Sequence, residues 1–311
     1  MKRKYILAIL LGIFLLGAGG TVYWFANSET AVPVSLSSAN DEDQSEHKQA
    51  DQTSKKEHDE NKDEETQEDE PEKTDMDSLT EQLTTILSKS MKKAVELFSN
   101  QDTHVTAIGD SLTQGVGDQY DSGGYVGILE RTVNTNSDTT VTFDNYGKRG
   151  NRSDQLLKRL EKEEIQDSIK DADVVLITIG ANDVMQVVKQ NITNLTFEPF
   201  TAERERYKER LESIFDKVTE LNSDADIYLI GFYNPFQQYF QNVEELDEII
   251  NEWNRTSRTV ANGRDKATFI PIDDLFSNTE EELFAEDHFH PNYSGYRLMA
   301  ERVLEYTGQE E

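Results

Sequence analysis

Apolar and polar positions are distributed so unevenly along the chain that they divide it into stretches of different physical character. Tyr5 to Phe25 is an uncharged, largely apolar run, and a helix of that length spans about 31 Å, one hydrocarbon core. From Ser28 to Asp77 the composition turns to Asp, Glu, Gln, Lys and Ser without a single aromatic residue. Such a segment buries too little surface to offset the entropy of ordering, which predicts a disordered, self-repelling tether. Ser78-Leu79-Thr80-Glu81 then has the form of a capping box. Leu79, Leu83, Ile86, Leu87, Met91, Ala94, Val95 and Phe98 continue at helical spacing, predicting an amphipathic helix over 78–100.

From Thr103 onward short apolar runs alternate with segments of helical period. Strands are expected at Val105–Ile108, Val141–Phe143, Val174–Ile179, Ile227–Ile230 and Phe269–Ile272. The intervening helices fall around Tyr125–Val133, Asp154–Ile165, Glu203–Leu221, Glu244–Val260 and Ser294–Tyr306. Five strand–helix repeats imply a parallel sheet covered on both faces by right-handed crossovers. The expected fold is therefore α/β, a doubly wound, flavodoxin-like, five-stranded sheet in three α/β/α layers, with strand order 2-1-3-4-5. Ligands in such sheets bind beyond the carboxyl ends of the strands, near the switch point.

Charge sharpens this division. Residues 1–40 carry Lys2, Arg3 and Lys4 against Glu29, a net of +2; residues 41–77 carry 17 acids and 5 bases, a net of −12. With a total of −30, the remaining 234 residues hold −20. Basic residues ahead of the apolar run hold the N-terminus in the cytoplasm and place the rest of the chain outside the cytoplasmic membrane. Residues 1–27 thus read as a single-pass signal anchor, with a cleaved signal peptide as the competing reading; either one exports the remainder. Acids outnumber bases two to one, which excludes nucleic acid as a partner and disfavours strongly anionic substrates. The absence of cysteine excludes disulfides, thiolate metal sites and a cysteine nucleophile.

Four polar segments fall at the carboxyl ends of strands. Gly109-Asp110-Ser111-Leu112 comes after the first strand: it is a turn with helix-capping residues, and it also raises a serine hydroxyl above the sheet beside helix amides. It is neither a G-x-S-x-G elbow nor a phosphate loop. Asn145-Tyr146-Gly147-Lys148-Arg149-Gly150-Asn151 comes after the second strand, and Gly180-Ala181-Asn182-Asp183 after the third; each also reads as a polar turn. In the 2-1-3 order these two loops flank Ser111, with strands about 4.8 Å apart. The Gly150 amide and the Asn182 side chain can then face an oxygen bound next to the serine, as an oxyanion hole requires.

A serine nucleophile needs a base, and the base needs a carboxylate to fix its tautomer. Beyond residue 100 the histidines are His104, His288 and His290. His104 precedes the first strand, at the wrong end of the sheet. Asp287-His288-Phe289-His290-Pro291 lies about fifteen residues beyond the fifth strand, enough to reach back to Ser111 at about 3.3 Å per residue. Within it, His290 is three residues from Asp287 and shares its side of a turn. A zinc site built from Asp287, His288 and His290 is the rival use of these residues.

Taken together, Gly109-Asp110-Ser111-Leu112, Gly150, Gly180-Ala181-Asn182-Asp183 and Asp287-x-x-His290 resemble the four ordered blocks of the SGNH, or GDSL, hydrolases over about residues 103–307. The resemblance implies an SGNH-type domain over 101–311 and a serine esterase, lipase or acylhydrolase that needs neither metal nor cofactor. By position it makes Ser111 the nucleophile, His290 the general base and acid, and Asp287 its orienting carboxylate. The oxyanion donors are then the Ser111 and Gly150 amides with the Asn182 side chain, and Gly147 is the less favoured donor. The expected substrate is a small-molecule, lipid or glycan ester. Cell-wall glycan O-acetyl groups are one alternative, and a non-catalytic tethered envelope-binding module is another. Met185 to Tyr207, with Phe197, Pro199 and Phe200, reads either as an apolar lid over the site or as core.

Overall fold

The structure, a computed structural model, describes residues 103–135, 141–191, 196–235, 244–277 and 282–308. The N-terminal anchor, the acidic linker and the leading helix expected over 78–100 lie outside the described residues.

The strands are β1 (His104–Gly109), β2 (Thr142–Gly147), β3 (Val174–Thr178), β4 (Asp226–Ile230) and β5 (Ala267–Ile270). All pair in parallel in the order β2-β1-β3-β4-β5, as the alternation predicts. Helices α1 (Ser111–Gln114) and α2 (Gly124–Asn134) come after β1; α3 (Ser153–Arg159) and α4 (Glu163–Asp171) come after β2. Helices α5 (Ala181–Gln190) and α6 (Phe197–Leu221) come after β3, α7 (Glu244–Asn262) after β4, and α8 (Tyr293–Thr307) closes the chain.

Strand periodicity sorts the core onto two faces. Val175 and Ile177 of β3, Ile108 of β1 and Leu229 of β4 pack with α3 to α7. Their neighbours Val174, Leu176, Val105, Ala107 and Ile230 pack with α2 and α8 on the other face. Every residue of β3 is buried, which is why its run is uninterrupted in apolar character. β2 is an edge strand and alternates between exposed and half-buried positions, so its sequence is polar enough to hide all but its first residues. Inside the sheet Thr106 is satisfied by the Ser168 carbonyl (3.0 Å) and hydroxyl (2.7 Å) of α4.

Three expected elements are corrected. The helix over Asp154–Ile165 is two helices, because Leu160 and Ile165, both buried, stand five residues apart and one helix cannot turn both to one face; the break after Leu160 realigns them. The fifth strand ends at Ile270, before Pro271, which has no amide for the ladder. Helix α6 begins six residues ahead of expectation, and its Pro199 sits in the first turn, where the missing amide costs nothing. Of the two readings of Met185 to Tyr207, Phe200 takes the core one: residues 185–190 belong to α5, 197–207 belong to α6, and Phe200 is buried. Phe197 instead borders a groove of about 220 Å³ between α6 and α7, with Phe200, Ile249 and Trp253.

Candidate active site

Because β2 and β3 both pair with β1, their terminal residues align: Gly109 lies opposite Gly147 on one side and Thr178 on the other. The loops leaving these three strands are therefore side by side above the switch point. Asp110 caps α1 by accepting from the Leu112 amide at 3.0 Å, so the turn orients Ser111 at the first position of the helix. The Asp110 carboxylate also accepts from the Thr178 hydroxyl at 2.9 Å, and Thr178, Thr113 and Tyr125 continue that chain of hydroxyls at 2.7 and 3.1 Å. Burial without a cation pushes the Asp110 carboxyl up to about 7, even against the Leu112 and Thr178 bonds.

The loop carrying His290 is held against this turn from the α8 side. The Tyr296 hydroxyl donates to the Val116 carbonyl at 2.7 Å and lies 3.4 Å from the Ser111 carbonyl. Gly117, at φ 97°, packs where a Cβ would stand 2.9 Å from the His290 Cβ and 2.6 Å from the Pro291 oxygen; a side chain there would push the histidine away. Asp287 accepts from the Phe289 and His290 amides at 3.0 and 2.9 Å through one oxygen. Its other oxygen meets His290 Nδ1 at 2.5 Å. Partial burial alone would raise the Asp287 pKa, but the His290 ring and these two amides outweigh it and hold the carboxyl well below its usual range. An ionised carboxylate only accepts, so Nδ1 carries the proton and Nε2 presents a lone pair.

Ser111 and His290 are each 5% exposed. Among the described residues no buried side-chain nitrogen or oxygen lacks a partner, and neither Ser111 Oγ nor His290 Nε2 is hydrogen-bonded to another described group. Both atoms therefore reach solvent. In unliganded catalytic sites hydroxyl–imidazole bonds are often long or poorly aligned and tighten around substrate.

On the opposite face of the sheet the β2 and β3 loops are clamped together. Asn182 Nδ2 donates one hydrogen to the Asn151 carbonyl at 3.0 Å, leaving its second for another acceptor. Asp183 accepts from the Ser153 amide (3.0 Å), the Ser153 hydroxyl (2.6 Å) and Arg210 (3.2 Å). Arg210 also reaches the Ser153 hydroxyl at 2.7 Å and Glu203 at 2.5 Å. Burial raises the Asp183 carboxyl, opposed by Ser153 and Arg210. The Gly147 amide is occupied, donating to Asn145 Oδ1 at 2.8 Å. Gly150, at φ 76°, has open space where a side chain would be, and its amide makes no hydrogen bond among the described residues.

His104 stands at the start of β1 beside Asp144, 3.2 Å away, at the far end of the sheet from Ser111. The clamp around Asp183, the hydroxyl chain from Thr178 and the tie from Asn145 to the Thr113 carbonyl (2.7 Å) were not anticipated. Asp183 had a signal, since it closes the Gly180-Ala181-Asn182-Asp183 segment, but its partners Ser153 and Arg210 are 30 and 27 residues away and carry no local pattern.

Residues 107–298 match the GDSL-like lipase/acylhydrolase family. The protein YpmR of Bacillus subtilis (strain 168) is 37% identical over 226 residues, covering 72% of this chain and 88% of its own. The spore germination lipase LipC of Bacillus licheniformis is 27% identical over 205 residues, 64% of this chain and 93% of its own. Among solved structures, the lipase Lip_vut3 from a goat rumen metagenome aligns with a TM-score of 0.59 at 25% identity, over 65% of this chain and 95% of that one.

Proposed function

Because the chain belongs to the GDSL-like lipase/acylhydrolase family and is a hydrolase acting on ester bonds, we propose that it cleaves carboxylic esters through an acyl-serine intermediate, with Ser111, His290 and Asp287 as its catalytic residues. The observation that carries this reading is the Asp287–His290 pair. It fixes the proton on Nδ1 and leaves Nε2 without a hydrogen bond among the described residues, on a loop packed against the turn that holds a serine hydroxyl also without one.

In the first step Ser111 Oγ attacks the ester carbonyl carbon while His290 Nε2 takes its proton. Asp287 stays ionised and stabilises the imidazolium. The carbonyl oxygen becomes an anion facing the Ser111 and Gly150 amides and the free Asn182 N–H; donors fixed in advance act on charge as it develops. His290 then returns the proton to the departing alcohol oxygen as the C–O bond breaks. Water repeats the sequence, giving its proton to His290, and release of the acid restores Ser111.

The basic Lys2-Arg3-Lys4 and the uncharged run to Phe25 support placing this domain outside the cytoplasmic membrane, tethered by the apolar segment through the acidic linker. The substrate then belongs to the envelope or its surroundings.

Labelling by a fluorophosphonate tests the chemistry. The folded wild type is expected to react stoichiometrically and Ser111→Ala not at all. A folded, unreactive wild type would instead support a non-catalytic binding module. A p-nitrophenyl ester series from acetyl to palmitoyl separates short-acyl from long-acyl substrates.

A further inference from the structure

Large apolar side chains stand exposed at two places among the described residues, Phe197 (44%) and Tyr120 (68%). A single exposed ring is ordinary, but Tyr120 sits on a loop built to hold it. Buried Asp118 accepts from the Tyr120, Ser122 and Gly124 amides at 3.1, 3.0 and 3.1 Å and from the Ser122 hydroxyl. Asp121, next to Tyr120, is in the left-handed region at φ 49°, a turn conformation that Asp adopts more readily than most residues. The Tyr120 ring meets Tyr293 edge to face, with centroids 5.3 Å apart and planes at 82°. Gln119 Oε1 accepts from the Tyr293 amide at 3.0 Å.

This loop runs alongside the His290 segment. Gly117 touches His290 and Pro291, and two residues later Gln119 holds the first residue of α8. The pair of rings is thus on the imidazole side of Ser111. Asn182 and Gly150 lie across the sheet edge, with the clamp of α3 and α5. In the proposed chemistry the group that His290 protonates is the departing alcohol, and Tyr293, three residues beyond His290, and its partner Tyr120 stand on that side.

Resting on the acyl-serine chemistry proposed for Ser111, we propose that Tyr120 and Tyr293 form a binding platform for a neutral sugar as the alcohol portion of the ester. The apolar C–H face of a pyranose packs on an open aromatic face, whose quadrupole is negative, while the tyrosine hydroxyls remain free to meet sugar hydroxyls. A fatty alcohol calls for contiguous apolar surface, and the neighbours of Tyr120 are Gln119, Asp121 and Ser122. A quaternary ammonium calls for rings that surround it, and these two are already in mutual edge contact.

The experiment compares a 6-O-acylglucose with the ethyl ester of the same acid, at the acyl length the wild type hydrolyses fastest, so that the acyl side cancels. The wild type is expected to favour the glucose ester. Tyr120→Ala is expected to lower the ratio of kcat/KM between the two esters about five- to tenfold, through KM, and Tyr120→Trp to restore it. A ratio that Tyr120→Ala leaves unmoved, or a choline ester of the same acid preferred over glucose and lost in Tyr120→Ala, overturns the platform while leaving the hydrolase intact. A wild type that hydrolyses neither ester and takes no fluorophosphonate overturns the hydrolase reading as well.

Discussion

The two flanks of Ser111 solve one problem, how to hold a carboxylate near the proposed reaction centre, in opposite ways. On the α8 side Asp287 is half exposed and receives the His290 ring and two amides, and its pKa falls well below the ordinary range. Beneath the nucleophile turn Asp110 is buried with one amide and one hydroxyl, and its pKa is pushed up to about 7. Asp183, on the far flank, is buried too, but Arg210 and Ser153 oppose the rise. Burial and the partners each carboxylate gathers, rather than proximity to the site, set the direction in which its pKa moves. The more exposed one holds the His290 ring; the buried ones hold backbone.

Asp287→Asn attacks the charged side of that contrast and carries the largest expected effect. An amide at 287 no longer fixes the proton on Nδ1, so kcat/KM is expected to fall about 10²–10⁴-fold near pH 7. The depressed pKa of Asp287 means that the pair stabilises the fold at neutral pH, and that this contribution is lost only as pH falls below the usual carboxylate range. Urea midpoints of wild type and variant should therefore converge in acid. A near-native rate at pH 7 would mean that His290 is oriented by something other than Asp287.

Asp183→Asn attacks the far flank. An amide accepts through one atom only, so either the Ser153 amide or the Arg210–Ser153 pair would face an NH₂ group. Stability should drop by about 1–3 kcal/mol. Asn182, the next residue, would shift with it, lowering kcat about tenfold with KM little changed. A loss of stability with kcat intact, measured well below Tm, would reduce Asp183 to a structural brace.

How much of this was legible depended on whether a signal was local. β3 and the strand order were readable because Val174–Ile177 is apolar without interruption and five repeats leave few topologies. The segments around Ser111, Asn182 and His290 were readable because each is a short polar block in a fixed place after a strand. Helix α5 was missed although Val184, Val187 and Val188 have helical spacing, because Asn182-Asp183 also makes a plausible turn. Glu203 and Arg210 looked like surface charges on an amphipathic helix; only the fold turns them toward Ser153 and Asp183. The identity of the alcohol is less legible still, since Tyr120 acquires meaning only through Asp118, Gln119 and Tyr293.

Asp110→Asn carries the smallest expected effect on turnover and the sharpest test of the contrast. Both of its described side-chain bonds, from the Leu112 amide and the Thr178 hydroxyl, go to the same oxygen, Oδ1, so an asparagine keeps them and the turn should survive. In the wild type the unfolded chain ionises near the ordinary value of 3.8 and the folded chain near 7. Between those values folding takes up a proton, and stability declines as pH rises, by at most roughly 1.4 kcal/mol per pH unit. The variant cannot ionise there, so its urea midpoint should gain on that of the wild type from pH 5 to pH 8. Asp183, raised by burial as well, tilts both proteins in the same direction. If the two curves run parallel instead, Asp110 is ionised throughout, its two donors do for it what the His290 ring and two amides do for Asp287, and burial is not what separates these two carboxylates.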